Sequence, residues 1–258
     1  MKIRLIPILF LKDGNLVRSE NFDLHQILGD PFVQVERYNT WNVDEIIYIN
    51  ISNSINYETK NKTEQHPKKF LEVMKKASEK CFSPIVFGGG IKNLNDAKSY
   101  FQNGADKISV NTSFIENTDL ISEFANIFGS QSIIVSVDVK IENNIYKLYN
   151  SKNEKTYDYD LFDYVKEVEK KGAGEILINS VDRDGTSLGY DINLIKKINN
   201  VINIPLIPCG GVGTSEHISE LLEKVDLSAV AAGNIFNFTE RSYEKIKNFL
   251  KKKGYNFR

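Results

Sequence analysis

Apolar residues along this chain gather in short continuous runs rather than in alternating ones: Leu5–Leu11, Glu45–Ile51, Pro84–Phe87, Lys107–Val110, Ser132–Val137, Glu175–Ile178, Ile204–Ile207 and Leu227–Ala232. Runs of this length predict strands covered on both faces, as in a parallel sheet. Between them lie longer amphipathic stretches that predict helices, among them His66–Cys81, Leu94–Asn103, Thr118–Phe128, Asp160–Lys171, Asp191–Asn199 and Ser215–Lys224. Strand and helix therefore alternate, which is the pattern of repeated βα units. No Pro-, Gly- or Ser-rich linker divides the series, so residues 1–258 are expected to form one domain.

The pattern also repeats. Residues 87–114, FGGGIKNLNDAKSYFQNGADKISVNTSF, and residues 208–236, PCGGVGTSEHISELLEKVDLSAVAAGNIF, share one layout. Each begins with a strand end and a glycine cluster, continues through a helix, and reaches an apolar strand that leads into a small polar turn and Phe. The offset is about half the chain, and such self-similarity constrains the whole fold. An α/β fold of the (β/α)₈ TIM-barrel type, made of two similar half-barrels, is the expectation. A doubly wound open sheet is the alternative.

Composition narrows the function more than the fold. At 258 residues the chain has the usual size of one such barrel. Lys+Arg at 33 against Asp+Glu at 34 leaves a net charge of -1, which excludes a strongly basic nucleic-acid binder. The run Lys251-Lys252-Lys253 reads as a solvated last helical turn. Cys81 and Cys209 cannot make a disulfide framework, and His25, His66 and His217 show no metal-ligand or nucleophile spacing. No cofactor or metal motif stands out. The apolar start of the chain is broken by Pro7 and Lys12-Asp13, too early for a signal peptide, and no long apolar run would span a membrane. A cytoplasmic location is expected.

Candidate chemistry collects where strands end. Gly88-Gly89-Gly90 and Gly210-Gly211 stand between a strand and a helix, where a backbone free of Cβ atoms and the N–H groups of a helix start suit a phosphate. The next strands deliver Asn111-Thr112 and Gly233-Asn234 to matching turns. Two phosphate cradles on opposite sides of a barrel mouth would follow, and with them a ligand carrying two anionic ends; tight-turn packing is the plainer reading of either cluster alone. Asp138 ends the strand before it, where a carboxylate can face the mouth and shuttle protons, or else serve as a helix cap or a partner for Lys140. The polar loop Asn179–Thr186, which contains Asp184-Gly185, is either a binding loop over the substrate or a simple turn. At the opposite end, Arg4, Glu45, Lys107 and Glu175 stand at strand starts, which a barrel brings together at its floor. Two cations and two anions there would form a balanced ring, whether it caps the barrel or does something more specific.

With these residues assembled, the sequence resembles the cyclase (HisF-type) subunit family of imidazole glycerol phosphate synthase. LKDGNLVRSENF, GDP at 29–31, VDEIIYINI, FGGGI, GADKISVNTSFIEN, FGSQSIIVSVDVK, KGAGEILINSVDRDGTSLGYD and PCGGVG occur in the family's order over nearly the entire chain. The resemblance implies a heterodimer in which a glutaminase docks at the barrel floor. Ammonia then enters through a charged gate, matched here by Arg4, Glu45, Lys107 and Glu175, and travels along the bore to a phosphorylated substrate at the mouth. It also implies that Asp138 is one of two carboxylates that perform general acid/base work.

The second carboxylate is where this sequence departs from the pattern. In the family an Asp directly precedes the Val-Lys-Asp-Gly turn, and Phe10 occupies that place here. Phenylalanine carries no titratable proton, and removing a general acid or base costs about 10²–10⁴ in rate. Asn50 stands where the second strand normally ends in Asp, and Arg18 replaces a phosphate-contacting Lys. A retained gate beneath an altered mouth is similar to the divergent relatives associated with bacterial surface-sugar biosynthesis. There the barrel helps supply ammonia for an acetamidino group. The expectation is thus an ammonia-channelling subunit acting on a phosphorylated small molecule or sugar. The first alternative is an authentic cyclase that forms imidazole glycerol phosphate and aminoimidazole carboxamide ribotide. The second is a non-catalytic scaffold that activates a glutaminase.

Overall fold

The computed structural model describes residues 2–20, 22–52, 69–237 and 239–258, and in it each apolar run becomes a strand. The first half of the chain runs β1 (Arg4–Lys12), β2 (Asn15–Glu20), β3 (Leu24–Gly29), α1 (Pro31–Thr40), β4 (Ile46–Asn50), α2 (Phe70–Lys80), β5 (Ile85–Gly88), α3 (Leu94–Gln102), β6 (Lys107–Val110), α4 (Thr112–Glu116) and α5 (Asp119–Phe128). The second half continues with β7 (Ile133–Glu142), β8 (Ile145–Asn150), β9 (Lys155–Asp160), α6 (Leu161–Lys170), β10 (Glu175–Ser180), α7 (Ile192–Asn199), β11 (Leu206–Cys209), α8 (Ser215–Lys224), β12 (Ala229–Ala232) and α9 (Ser242–Lys252). His66, and with it the start of the helix expected from that residue, lies outside the described residues.

Strands β1, β4, β5, β6, β7, β10 and β11 pair in that order, all in parallel, and β12 pairs with the free side of β1. β11 and β12 lie side by side. The sheet therefore curls into a (β/α)₈ barrel, not the open sheet. Its stagger is visible in β1, whose Arg4–Pro7 pair with β12 and whose Ile8–Leu11 pair with β4. Strands of a closed barrel must tilt, so each one exchanges neighbours along its length.

Side chains alternate across the wall and build two separate cores. Ile6, Ile8, Ile47, Val86, Ile134, Leu177, Ile207, Ala229 and Ala231 fill the bore, with Phe10 and Ile49 packed against them. Leu5, Leu9, Ile46, Tyr48, Phe87, Val135, Ile176 and Val230 face outward and bury the apolar sides of the helices. Helix starts follow local chemistry. Asn93, Asp160, Asp191 and Thr214 each accept backbone N–H bonds at the head of α3, α6, α7 and α8.

The two-half pattern extends beyond the glycine clusters. β5–α3–β6 ends in the short helix α4, and β11–α8–β12 ends in a 3₁₀ turn at Asn234–Asn237. Each half also opens with a long strand that turns back into a two-stranded extension, β2–β3 after β1 and β8–β9 after β7. Those extensions stand at the C-terminal rim, where barrel chemistry is placed.

Candidate functional site

The four floor charges meet. Arg4 Nη1 lies 2.5 Å from Glu45 Oε2, and Arg4 Nη2 lies 2.7 Å from Glu175 Oε2. Lys107 Nζ reaches Glu175 Oε1 at 2.5 Å and Glu45 Oε1 at 3.0 Å, the latter an ion-pair contact rather than an aligned hydrogen bond. Each cation thus touches both anions, and the ring closes across the bore beneath the apolar layer of Ile6, Ile47, Ile134 and Leu177. Burial works against these charges, yet hydrogen bonds and attraction from Arg4 and Lys107 hold the Glu175 carboxyl below its usual range, while Glu175 and Glu45 raise Arg4. The charged forms therefore support one another.

At the other end of the bore, a pocket opens among the strand ends. It gathers Phe10, Arg18, Asp184, Gly185, Gly210, Gly211, Gly233 and Asn234, all singled out from the sequence, and adds Glu20 and Ser187. Gly211 has φ +89, and a Cβ there would fall 2.2 Å from the backbone oxygen of Gly189. The bare backbone is what lets the two loops close on each other. Arg18 is half-buried and forms no ion pair among the described residues. An arginine lining the same pocket as glycine backbone is a chemically apt seat for a phosphate-sized anion.

The hairpin β2–β3 covers this pocket. Ser19 Oγ donates to Asp184 Oδ2 at 2.8 Å, Asn234 Nδ2 donates to the Ser19 carbonyl at 2.8 Å, and the Phe22 N–H also bonds Asp184. Sequence reasoning missed Ser19, although Asp13-Gly14, with φ 50 and 78, is a strong hairpin signal. Asp184 and Asn234 are thus committed to holding the hairpin over the mouth.

Asp138 lies in the same end of the bore. Asn111 Nδ2 donates to Asp138 Oδ2 at 2.9 Å, and Asn179 sits beside Asp138 in the ladder of β7 and β10. Burial, with the nearby Asp184 charge, pushes the Asp138 carboxyl up to about 7, and the Asn111 bond only partly offsets this. A carboxyl of that kind exchanges a proton near neutral pH, as a general acid or base must. Burial raises Asp184 as well, against the bonds from Ser19 and Phe22.

The half-repeat gives Asp138 a counterpart. Aligning Val137-Asp138-Val139-Lys140 with Leu9-Phe10-Leu11-Lys12 sets Phe10 in the equivalent place, at the inner end of β1. Phe10 packs toward Gly233, where a Cβ would meet its ring at 3.8 Å. One half of the mouth carries a carboxyl, and the other carries an aromatic ring.

The first glycine cluster is built apart from the pocket. A Cβ on Gly89, at φ +95, would fall 2.0 Å from the Asn50 carbonyl oxygen. Tyr100 Oη donates to the Gly89 carbonyl at 2.5 Å, and Ser113 Oγ donates to Ile91 O at 2.7 Å. Gly88 ends β5, Gly90 lies in the turn after it and Thr112 opens α4, while Asn111 Nδ2 is engaged by Asp138 and its Oδ1 is buried without a hydrogen-bond partner among the described residues. Asn50 accepts from Ser52 N–H and Oγ.

The remaining candidates are placed without a catalytic arrangement. Burial pushes the Cys209 thiol well above its usual range, so it stays protonated. His217 Nδ1 accepts from Gly213 N–H at 3.1 Å, and His25 Nδ1 lies 3.3 Å from Lys12 Nζ. Among the described residues no group of His, Cys, Asp or Glu is placed to hold a metal, and no helix is long and apolar enough to cross a membrane.

Comparison with known proteins adds an independent line. The family described as "Histidine biosynthesis protein" matches residues 4–242. The chain is 38% identical over 257 residues to imidazole glycerol phosphate synthase subunit HisF of Clostridium botulinum (strain 657 / Type Ba4), covering 99% of this chain and 98% of that one. It is 39% identical over 251 residues to the subunit of the same name from Sulfurisphaera tokodaii, covering 97% and 96%. It is also 38% identical over 242 residues to a putative imidazole glycerol phosphate synthase subunit hisF2 of Vibrio vulnificus, covering 94% and 86%. These names favour the histidine-pathway alternative over the surface-sugar expectation.

Proposed function

We propose, because this chain belongs to the histidine biosynthesis protein family and to its HisF-type synthase subunits, that it joins ammonia to a phosphorylated substrate at the barrel mouth. The ammonia comes from a glutaminase subunit docked on the floor and passes up the bore, with the whole chain acting as one barrel unit. The carrying observation is the closed ring of Arg4, Glu45, Lys107 and Glu175 below an apolar bore that ends at Asp138. A sealed ring of this kind keeps water out of the bore and opens only when its ion pairs part.

The relatives' names support one substrate in particular. On that reading, ammonia and the bisphosphate formimino ribulosyl intermediate give imidazole glycerol phosphate, aminoimidazole carboxamide ribotide and one water. The Gly210-Gly211 and Gly233-Asn234 turns with Arg18 seat one phosphate, Gly88-Gly89-Gly90 with the backbone of Asn111-Thr112 seat the other, and Asp138 moves the proton. Gly185 and Asp184 hold the loop that closes over the substrate.

Phe10 favours a second reading. With an aromatic ring in place of a second carboxyl, the mouth suits an acceptor whose amination needs one proton carrier, as in sugar amidination. One assay separates the two: purified chain, ammonium and the bisphosphate substrate, followed by loss of substrate absorbance. Turnover supports the cyclase. No turnover, restored by Phe10→Asp, supports the altered acceptor.

A further inference from the structure

Arg4 and Glu45 meet inside the bore, yet the strands that carry them are not laddered to each other at that level. β1 pairs with β4 from Ile8 and Ile47 upward, while Arg4–Pro7 pair with β12. What joins the two floor ends lies behind the wall. Asp44 directly precedes Glu45 and turns its carboxyl outward, where Oδ2 accepts the Leu5 N–H at 2.9 Å. Tyr243 Oη accepts the Asp44 N–H at 3.0 Å and donates to the Leu5 carbonyl at 2.9 Å. Lys247 Nζ donates to Asp44 Oδ1 at 2.7 Å and lies 5.4 Å from the centre of the Tyr243 ring.

Tyr243 and Lys247 are one helical turn apart on α9, so both reach the same spot. Asp44, Tyr243 and Lys247 are all buried. Taking an ammonium and a carboxylate out of water is costly, and an apolar pair would fasten α9 to the barrel just as well. The ion pair adds direction. Each Asp44 oxygen is engaged by a different donor, so the carboxyl has one orientation. The backbone at Asp44–Glu45 is then fixed relative to that at Arg4–Leu5.

We propose that Lys247 is a positioning residue for the floor gate. Acting through Asp44 and Tyr243, it holds the Leu5 and Asp44 backbones together outside the wall and so keeps Arg4 and Glu45 closed on each other inside it. The inference rests on the gate reading given above, but its structural half requires neither partner nor substrate.

Lys107 serves as the reporter, because its ammonium is held between Glu175 and Glu45. The full chain is treated with acetic anhydride, and acylation of each lysine is followed by peptide mass spectrometry. Lys147, at the opposite rim and of similar exposure (26% against 19%), is the internal reference. Lys247→Met is expected to acylate Lys107 several-fold faster relative to Lys147, and Lys247→Arg to restore the wild-type ratio. Should Lys247→Met not fold, Tyr243→Phe removes both hydroxyl bonds, leaves no unpaired charge, and is expected to move the ratio the same way. An unchanged ratio in the folded variants, with only a lower Tm, overturns the proposal and leaves Lys247 as an anchor for α9.

In complex with a glutaminase, Lys247→Met is expected to release more free ammonia per glutamine hydrolysed, with ammonium-supported turnover unchanged. Faster Lys107 acylation in Lys247→Met, alongside a wild-type complex that never couples ammonia, would sink the gate function but not the positioning. A coupled wild type, a leaky Lys107→Ala and an unaltered Lys247→Met would do the reverse.

Discussion

Lys247 grips Asp44 at 2.7 Å on the outside of the barrel wall, one residue away from Glu45, which grips Arg4 at 2.5 Å on the inside. Both pairs are largely withdrawn from water, with Asp44 and Glu45 side chains only 4% and 2% exposed. Removing one partner of a buried pair leaves an uncompensated charge, at a cost of about 3–5 kcal/mol. Lys247→Met is therefore expected to destabilise the chain by that amount in urea titration. The double variant Asp44→Asn/Lys247→Met should recover part of it, because no unpaired charge remains.

Asp138 predicts a pH dependence with a definite sign. Its folded pKa stands near 7, above the ordinary carboxylate value, so the folded chain binds the extra proton between about pH 4 and pH 7. Stability then falls as pH rises through that window and levels off above it. In urea titrations, Asp138→Asn should gain on the wild type as pH rises from 4.5 to 8. A constant difference across that range would contradict the burial of this carboxyl. The same substitution should lower ammonium-supported turnover by about 10²–10⁴-fold.

Gly211 tests the close approach of two mouth loops. A methyl group there would fall 2.2 Å from the Gly189 carbonyl, and the residue already sits at φ +89. Gly211→Ala should cost at least about 1 kcal/mol in stability and weaken binding of a phosphorylated ligand, read by calorimetry. Arg18→Met should weaken the same binding by about tenfold or more, as loss of a charged hydrogen bond does, while leaving stability nearly unchanged.

Much of this was legible in the sequence. The eight continuous apolar runs became the barrel strands because parallel strands covered on both faces have little use for polar positions. The floor ring was legible because strand starts converge in a barrel, which brings Arg4, Glu45, Lys107 and Glu175 together from distant positions.

The rim was harder. β2–β3 and β8–β9 carry mixed polar and apolar residues, since much of their surface is in solvent, and their signal lies in the turns Asp13-Gly14 and Asn143-Asn144, all at positive φ. The bond from Ser19 to Asp184 and the clamp of Asp44, Tyr243 and Lys247 join residues more than 160 positions apart. No local periodicity marks such a pairing. Asn111 and Thr112 are adjacent in the sequence with nothing to separate their roles, yet Asn111 Nδ2 is engaged by Asp138.

Isotope tracing tests the central claim most directly. The complex with a glutaminase is given amide-¹⁵N glutamine in a large excess of unlabelled ammonium, and the nitrogen in the aminated product is read by mass spectrometry. Passage through the bore predicts product that keeps the ¹⁵N label, and dilution of that label in Lys107→Ala. Product from the wild-type complex with the isotope ratio of the bulk ammonium would contradict the account.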